Sequence, residues 1–216
     1  MLSFAEEIYL LALDDVSGKI TITSKDVVLN SALIGSVLAE LCFLGKIDND
    51  NEYFYLIDKT PTGKPILDNV LEVFAGAESE KNPMEHCLRV LLPMGDKVEA
   101  QVLESLINKG ILKKVEEKIL WIFPSRRYPV INDQEIVDVE RRLRQLLDSD
   151  EVPTPREAML VSLVHVCGLF NEILSPREYV RLLPRIEQVA KLELLTQKVS
   201  ELILQINNFA NLPPFV

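Results

Sequence analysis

Histidine is nearly missing from this chain, with only His86 and His165 in 216 residues. His165 lies inside the apolar run Leu163-Val164-His165-Val166-Cys167, so it reads as a satisfied helix histidine rather than a base. Its two-residue offset from Cys167 puts the pair on different helix faces, which excludes a nucleophile couple or a metal clamp there. Cysteine is also scarce. Cys42, Cys87 and Cys167 are an odd number without paired or zinc-type spacing, and Cys42 and Cys167 have apolar neighbours. Buried free thiols in a reducing compartment follow. The eight glycines form neither a phosphate-cradling loop nor a dinucleotide fingerprint, and Thr62-Gly63-Lys64 lacks the upstream residues of a nucleotide loop. Positive charge is outnumbered, 23 to 33, giving a net charge of -10 and a pI of about 4.8. The mean field therefore repels nucleic acid and anionic headgroups alike. No apolar run approaches the roughly 18 residues of a membrane span, and Met1-Leu2-Ser3-Phe4-Ala5-Glu6-Glu7 has no basic region ahead of its apolar stretch. The expectation is a cytoplasmic protein whose membrane contact, if any, is peripheral.

What is present is an ordinary globular composition, 48% hydrophobic and 26% charged. At this length one core can bury roughly 70% of the extended surface, and a single domain over residues 1–216 is expected. The patterning is mainly helical. Ser3 and Glu6 have capping-box spacing before a short helix ending near Asp14-Asp15, and a small strand from Lys19 to Thr23 follows. A helix starting at Ser24 or Asp26 and restarting near Ser31 runs to Phe43, then a hairpin from Lys46 to Ile57 turns at Asp48-Asn49-Asp50-Asn51. Ile66, Leu67, Val70, Leu71 and Phe74 resume a helical period, while Gly76 to Asn82 is the weakest candidate for order. Pro83 leads another helix, the chain breaks at Pro93-Met94-Gly95, and Asp96 caps the next one. Asn132 with Glu135, Thr154-Pro155-Arg156-Glu157 and Ser175-Pro176-Arg177-Glu178 signal three more starts, the last helix stopping or bending near Pro184. From Arg185, the apolar set Ile186, Val189, Leu192, Leu195, Val199, Leu202, Ile206 and Phe209 describes a long terminal helix.

Residues 37–57 and 102–122 suggest an internal repeat. Moved forward by 65 residues without a gap, Leu38, Leu41, Gly45 and Ile47 fall on Leu103, Leu106, Gly110 and Leu112. Each copy is a helix, a glycine stop and a hairpin. The repeat states architecture and no chemistry.

Candidate chemistry is thin. Asp14-Asp15, Glu116-Glu117 and Asp148-Asp150-Glu151 fall in predicted turns and read as solvated surface. Two basic groups remain, Arg126-Arg127 in a loop before Tyr128, and Arg141, Arg142 and Arg144 on one helix. Folded together they would form a cradle of guanidinium forks for a phosphate or carboxylate; the favoured alternative pairs them with Asp138, Glu140 and nearby acids.

Four segments in this order carry a family likeness. They are Phe4-Ala5-Glu6-Glu7 to Leu13; Leu38, Glu40 and Leu41 with Gly45-Lys46-Ile47; Pro61-Thr62-Gly63 with Leu67-Asp68 and Leu71; and Leu106-Ile107-Asn108-Lys109-Gly110-Ile111-Leu112. Together they resemble the Golgi phosphoprotein 3 family. That resemblance implies a mainly α, compact single domain with small β-hairpins and a long C-terminal helix. It also implies a protein without enzymatic activity or cofactor, which binds phosphatidylinositol 4-phosphate on membranes and holds the cytoplasmic tails of partner proteins; the negative charge separately argues against a nucleic-acid partner. Self-association through a hairpin is implied as well; the matching segment is Lys114 to Pro129, with Lys114, Ile119, Trp121 and Phe123 as the contact residues. The family's headgroup residues do not carry over. Its tryptophan has no counterpart between Gly18 and Ser31, its first arginine falls on Ile34, and the stretch matching its other two reads Asp96-Lys97-Val98-Glu99-Ala100-Gln101. Lys97, Arg126 and Arg127 are the cations left near that face, so a weakened or altered anion site is expected, with a lipid-free, self-associating interaction module as the alternative.

Overall fold

The computed structural model describes residues 1–14, 19–20, 25–50, 52–76, 80–119 and 123–192, with backbone alone at 25–27, 115–119 and 123–127. Helix α1 (Phe4–Leu11) is the centre of the fold. All eight of its residues are buried, and α2 (Lys25–Phe43), α5 (Gly95–Asn108), α6 (Gln134–Asp148) and α7 (Pro155–Val166) pack around it. A helix this short survives because its start is tied twice. The Ser3 side chain accepts from the Glu6 N–H while the Glu6 carboxylate accepts from the Ser3 N–H, and the buried surface then does the rest.

The remaining elements are β1 (Ile47–Asn49), β2 (Tyr53–Leu56), α3 (Pro65–Ala75), β3 (Lys81–Pro83), α4 (Met84–Leu91), β4 (Val115–Ile119), β5 (Phe123–Arg127), α8 (Phe170–Ile173) and α9 (Pro176–Ala190). The strands make two small antiparallel sheets, β1-β2-β3 and β4-β5. In the first, Ile47 faces Leu56 and Phe54 faces Asn82, and the buried Phe54 ring meets Phe74 of α3 edge-on at 5.6 Å. The buried apolar residues form one cluster that runs from Leu2 to Val189. The mainly helical architecture with small hairpins is the one expected.

Several boundaries differ from expectation, each for a local reason. Helix α2 does not restart at Ser31; Ser31 is buried inside it, and Ser36 returns its hydroxyl to the Ala32 carbonyl at 2.7 Å. Helix α5 begins at Gly95, one residue before the expected cap, because the Leu92–Met94 turn feeds it directly, and Asp96 instead accepts from Asn30 Nδ2 at 2.7 Å. The N-cap position of α6 falls on Asp133, whose side chain makes no cap bond, while Asn132 Oδ1 accepts from the Gln134 N–H at 3.2 Å and no capping box forms. Helix α9 passes through Pro184, which is exposed, so the carbonyl deprived of its partner is left on the solvent side. Residues 185–190 therefore belong to α9, and the rest of the terminal helix expected from Arg185, beyond Leu192, lies outside the described residues. Lys81–Pro83 forms an edge strand where little order was expected, and of the strand at Lys19 to Thr23 only the Leu13–Ile20 bridge is described. Cys42 is half-buried rather than buried, because it sits in the last turn of α2.

Helices α2 and α5 run side by side in the same direction. Near their starts they pack tightly at Gly95, where a Cβ would lie 2.4 Å from the Asn30 Cβ. At their far ends both helices close alike. The Gly45 N–H donates to Cys42 and the Lys46 N–H to Leu41, as the Gly110 N–H donates to Ile107 and the Ile111 N–H to Leu106, with the two glycines at φ +65° and +71°. Beyond the stops the hairpins diverge, since Ile47 pairs with Leu56 but Leu112 bridges Val130. Nothing lies within 4 Å of the Cβ position at Gly110, so Gly110→Ala feels the left-handed backbone alone. It is expected to lose about 1 kcal/mol in urea unfolding, with no change in circular dichroism.

Candidate functional site

The packing around α1 puts three carboxylates under the surface. Glu6 and Glu7 are 3% and 1% exposed, and Glu40 of α2 is 6% exposed. Each is met by cations from other elements, as a buried charge requires. Glu6 Oε1 accepts from Lys109 Nζ at 2.5 Å and from the Ser105 hydroxyl at 2.7 Å, both on or just past α5. Glu7 accepts from Arg142 of α6 at 2.7 Å and Arg156 of α7 at 2.9 Å. Glu40 Oε2 accepts from the Phe4 N–H at 3.0 Å and lies 3.5 Å from Arg156, whose guanidinium also covers the Phe4 ring at 4.1 Å. Burial alone would raise the Glu6 pKa, but Lys109, the Ser3 N–H and Ser105 outweigh it and hold the carboxyl below 4.5. At Glu7 burial prevails over Arg142 and Arg156, and the pKa rises above 4.5.

Beside this network opens a cavity of about 490 Å³. Its walls come from α1 with its leading residues, α2, the start of α3 and α5, and it receives Glu6, Glu40, Lys64, Gln101, Ser105 and Lys109. The loop before α3 is fixed by Asp68, which accepts from the Thr62 N–H at 2.6 Å, the Thr62 hydroxyl at 2.7 Å and the Gly63 N–H at 3.1 Å. That loop is the Pro61-Thr62-Gly63 segment of the sequence, and it carries Lys64 to the cavity mouth, 3.6 Å from Glu40.

Of the residues singled out from sequence, Lys97 and Lys114 do not line the cavity. Lys97 is exposed on α5 and donates to Asn69 at 3.0 Å. Arg126 and Arg127 lie on β5, their backbones paired with Glu116 and Val115; their side chains, like those of Ile119 and Phe123, lie outside the described residues, as does Trp121 altogether. Lys114 is exposed at the base of the β4–β5 hairpin, beside a shallow groove with Asp96, Glu99 and Tyr128. The helical arginines pair with acids as favoured: Arg141 with Asp138, Arg142 with Glu7 and Asp138, Arg144 with Glu178. His165 is half-buried on α7, its pKa lowered by that burial, and burial pushes the Cys167 thiol up to about 12. Among the described residues no group of three or more His, Cys, Asp or Glu side chains is placed to hold a metal ion. In sequence Glu6 reads as a cap, Glu6, Glu7 and Glu40 enter only through the family likeness and Arg156 only through a capping motif, so none is given a place at a site; charged residues inside the apolar runs Phe4–Leu11 and Val37–Leu41 are the available signal.

No helix among the described residues is long and apolar enough to cross a membrane. The family model described as Golgi phosphoprotein 3 (GPP34) matches residues 4–206. No curated protein matches the chain.

Ionised Glu6 stabilises the fold at any pH above 4.5, and that contribution is lost as the pH falls through its lowered folded pKa. Glu7 acts with opposite sign, its contribution complete below 4.5 and lost as the pH rises through its raised value. In urea unfolding at a series of pH values, the advantage of the native chain over Glu6→Gln is expected to be full near neutrality and to shrink well below 4.5. A constant difference across the series would contradict the pairing.

Proposed function

This chain belongs to the Golgi phosphoprotein 3 family, a family of non-catalytic adaptors, and from that membership we propose a peripheral membrane adaptor whose headgroup site has been rebuilt. The observation that carries the reading is the state of the positions equated with the family's headgroup arginines. Ile34 is fully buried in the core, at 0% exposed. Asp96 is taken by Asn30, and Glu99 accepts from Tyr9 Oη at 3.4 Å. A doubly charged inositol phosphate needs guanidinium forks where this surface offers two carboxylates, and like charges at that range oppose capture. Lys97, Arg126 and Arg127 remain to meet an anionic surface through charge alone, without a fixed cradle. Attachment then leans on a protein partner, such as the cytoplasmic tail of a membrane protein.

Flotation with vesicles of phosphatidylcholine alone, with phosphatidylserine, and with phosphatidylinositol 4-phosphate at matched charge tests this. Capture on the phosphoinositide vesicles is expected to be no greater than on the phosphatidylserine ones, to fall with salt, and to drop further in Arg126→Ala/Arg127→Ala. Headgroup-selective capture that resists salt would refute it.

A second reading has its own support. The β4–β5 sheet has only two strands and pairs with no third among the described residues, and an isolated pair of strands is marginal in water. We propose that this hairpin, through Lys114, Ile119, Trp121 and Phe123, joins two copies of the chain. Sedimentation velocity is expected to show an oligomer that Trp121→Glu converts to monomer; a wild-type monomer at all concentrations would remove the proposal.

A further inference from the structure

The three-stranded sheet buries one face only. Phe54 of β2 packs inward on Phe74, so Tyr53 and Tyr55 on either side of it belong to the outer face, where both are half-buried. The register completes that face. Asp48 of β1 stands opposite Tyr55, Lys81 of β3 stands opposite it on the other flank, and Pro83 stands opposite Tyr53. Ile57, two residues past Tyr55, is 61% exposed. One line across the sheet therefore reads acid, aromatic ring, base, with an uncovered apolar side chain beside it.

A cation already uses part of this surface. Lys81 Nζ lies 3.7 Å from the centroid of the Tyr53 ring but 5.9 Å from that of Tyr55, and the two rings are 6.5 Å apart. The Tyr55 hydroxyl donates to Asp50, which also accepts from the Glu52 and Tyr53 N–H groups at 2.8 Å, so the turn holds the ring in place. On the flank away from Lys81, Asp48 is exposed and tied locally to the Asn49 N–H at 2.8 Å. A cation placed beside Tyr55 on that flank meets a ring and a carboxylate together, a pairing that a planar guanidinium makes better than an ammonium.

The local charge has the matching sign. Residues 46–59 and 80–83 carry five carboxylates and three ammonium groups. Lys46 and Asp58 cancel at 2.5 Å, which leaves Asp48, Asp50, Glu52 and Glu80 against Lys59 and Lys81. The adjoining α4 does not redress the balance, since its Arg89 pairs with its own Glu85 at 2.8 Å.

We propose that this outer face docks an extended, arginine-bearing segment of a partner protein, with one guanidinium lying on Tyr55 and donating to Asp48 and a neighbouring apolar side chain covering Ile57. The inference is independent of the headgroup reading, because β1 follows the far end of α2 and the test contains no lipid.

The full chain is titrated with the peptide acetyl-Ile-Ser-Arg-Ser-Arg-amide, whose isoleucine and arginines share one face when extended, and backbone amide shifts are followed. The same peptide with lysine or glutamate in place of arginine is the control. Saturating shifts are expected at Asp48, Tyr55 and Ile57, with the lysine peptide weaker and the glutamate peptide silent. Tyr55→Leu and Asp48→Asn are each expected to weaken the arginine peptide about two- to fivefold with the unfolding midpoint kept. Tyr55→Phe keeps the ring while breaking its bond to Asp50, and is expected to bind as the native chain does; Glu135→Gln removes the same charge from α6 and is expected to change nothing. Shifts away from this face, a lysine or glutamate peptide that binds equally well, equal losses in Asp48→Asn and Glu135→Gln, or a loss in Tyr55→Phe matching that in Tyr55→Leu would overturn the proposal. So would concentration-dependent shifts on this face in the chain alone, which would assign it to a second copy.

Discussion

Burying charge on the central helix is the constraint to which the other helices answer. Helix α1 is enclosed on every side, yet positions 6 and 7 are glutamates, so the surrounding helices must deliver cations into the interior. Helix α5 sends Lys109 from its C-terminal end, α6 sends Arg142, and α7 sends Arg156 from its first turn. Such pairs add little net stability over apolar packing of the same shape, since desolvation offsets most of the attraction. Their effect is on uniqueness. A slipped register of α6 or α7 would leave a carboxylate alone in the core, at a cost of several kcal/mol.

This constraint also explains what could be read from the sequence. Capping boxes at Ser3, Thr154 and Ser175 are local, and all three form as their spacing requires. The glycine stops at Gly45 and Gly110 are local too. By contrast, Glu6 and Lys109 are 103 residues apart and Glu7 and Arg156 are 149 apart, so no window of neighbouring residues reveals them. Arg156 illustrates the problem. In sequence it fills an unremarked place in a capping box, whereas in space it joins α7 to two buried glutamates and a phenylalanine ring. The candidate cations were chosen for proximity to a lipid face, while the acceptors that line the cavity sit among leucines and were hidden by their apolar neighbours.

The two faces of the α2–α5 pair have drifted apart in chemistry. Near the helix starts, the surface that would meet a phosphorylated lipid carries Asp96 and Glu99, each with a polar neighbour from within the domain. Near the helix ends, the same pair frames a cavity rich in acceptors. Membership of an adaptor family accounts for the scaffold and for the absence of catalysis; the local residues determine what the scaffold holds.

The contact at Gly95 sets how near the starts of this pair can lie. The two helices pack on each other at many points, and at this one there is no room for a further carbon. A methyl group at position 95 would lie 2.4 Å from the Asn30 Cβ, so alanine there forces Asn30 and the start of α2 aside. The spacing of the two helix starts is thereby written into a residue that has no side chain.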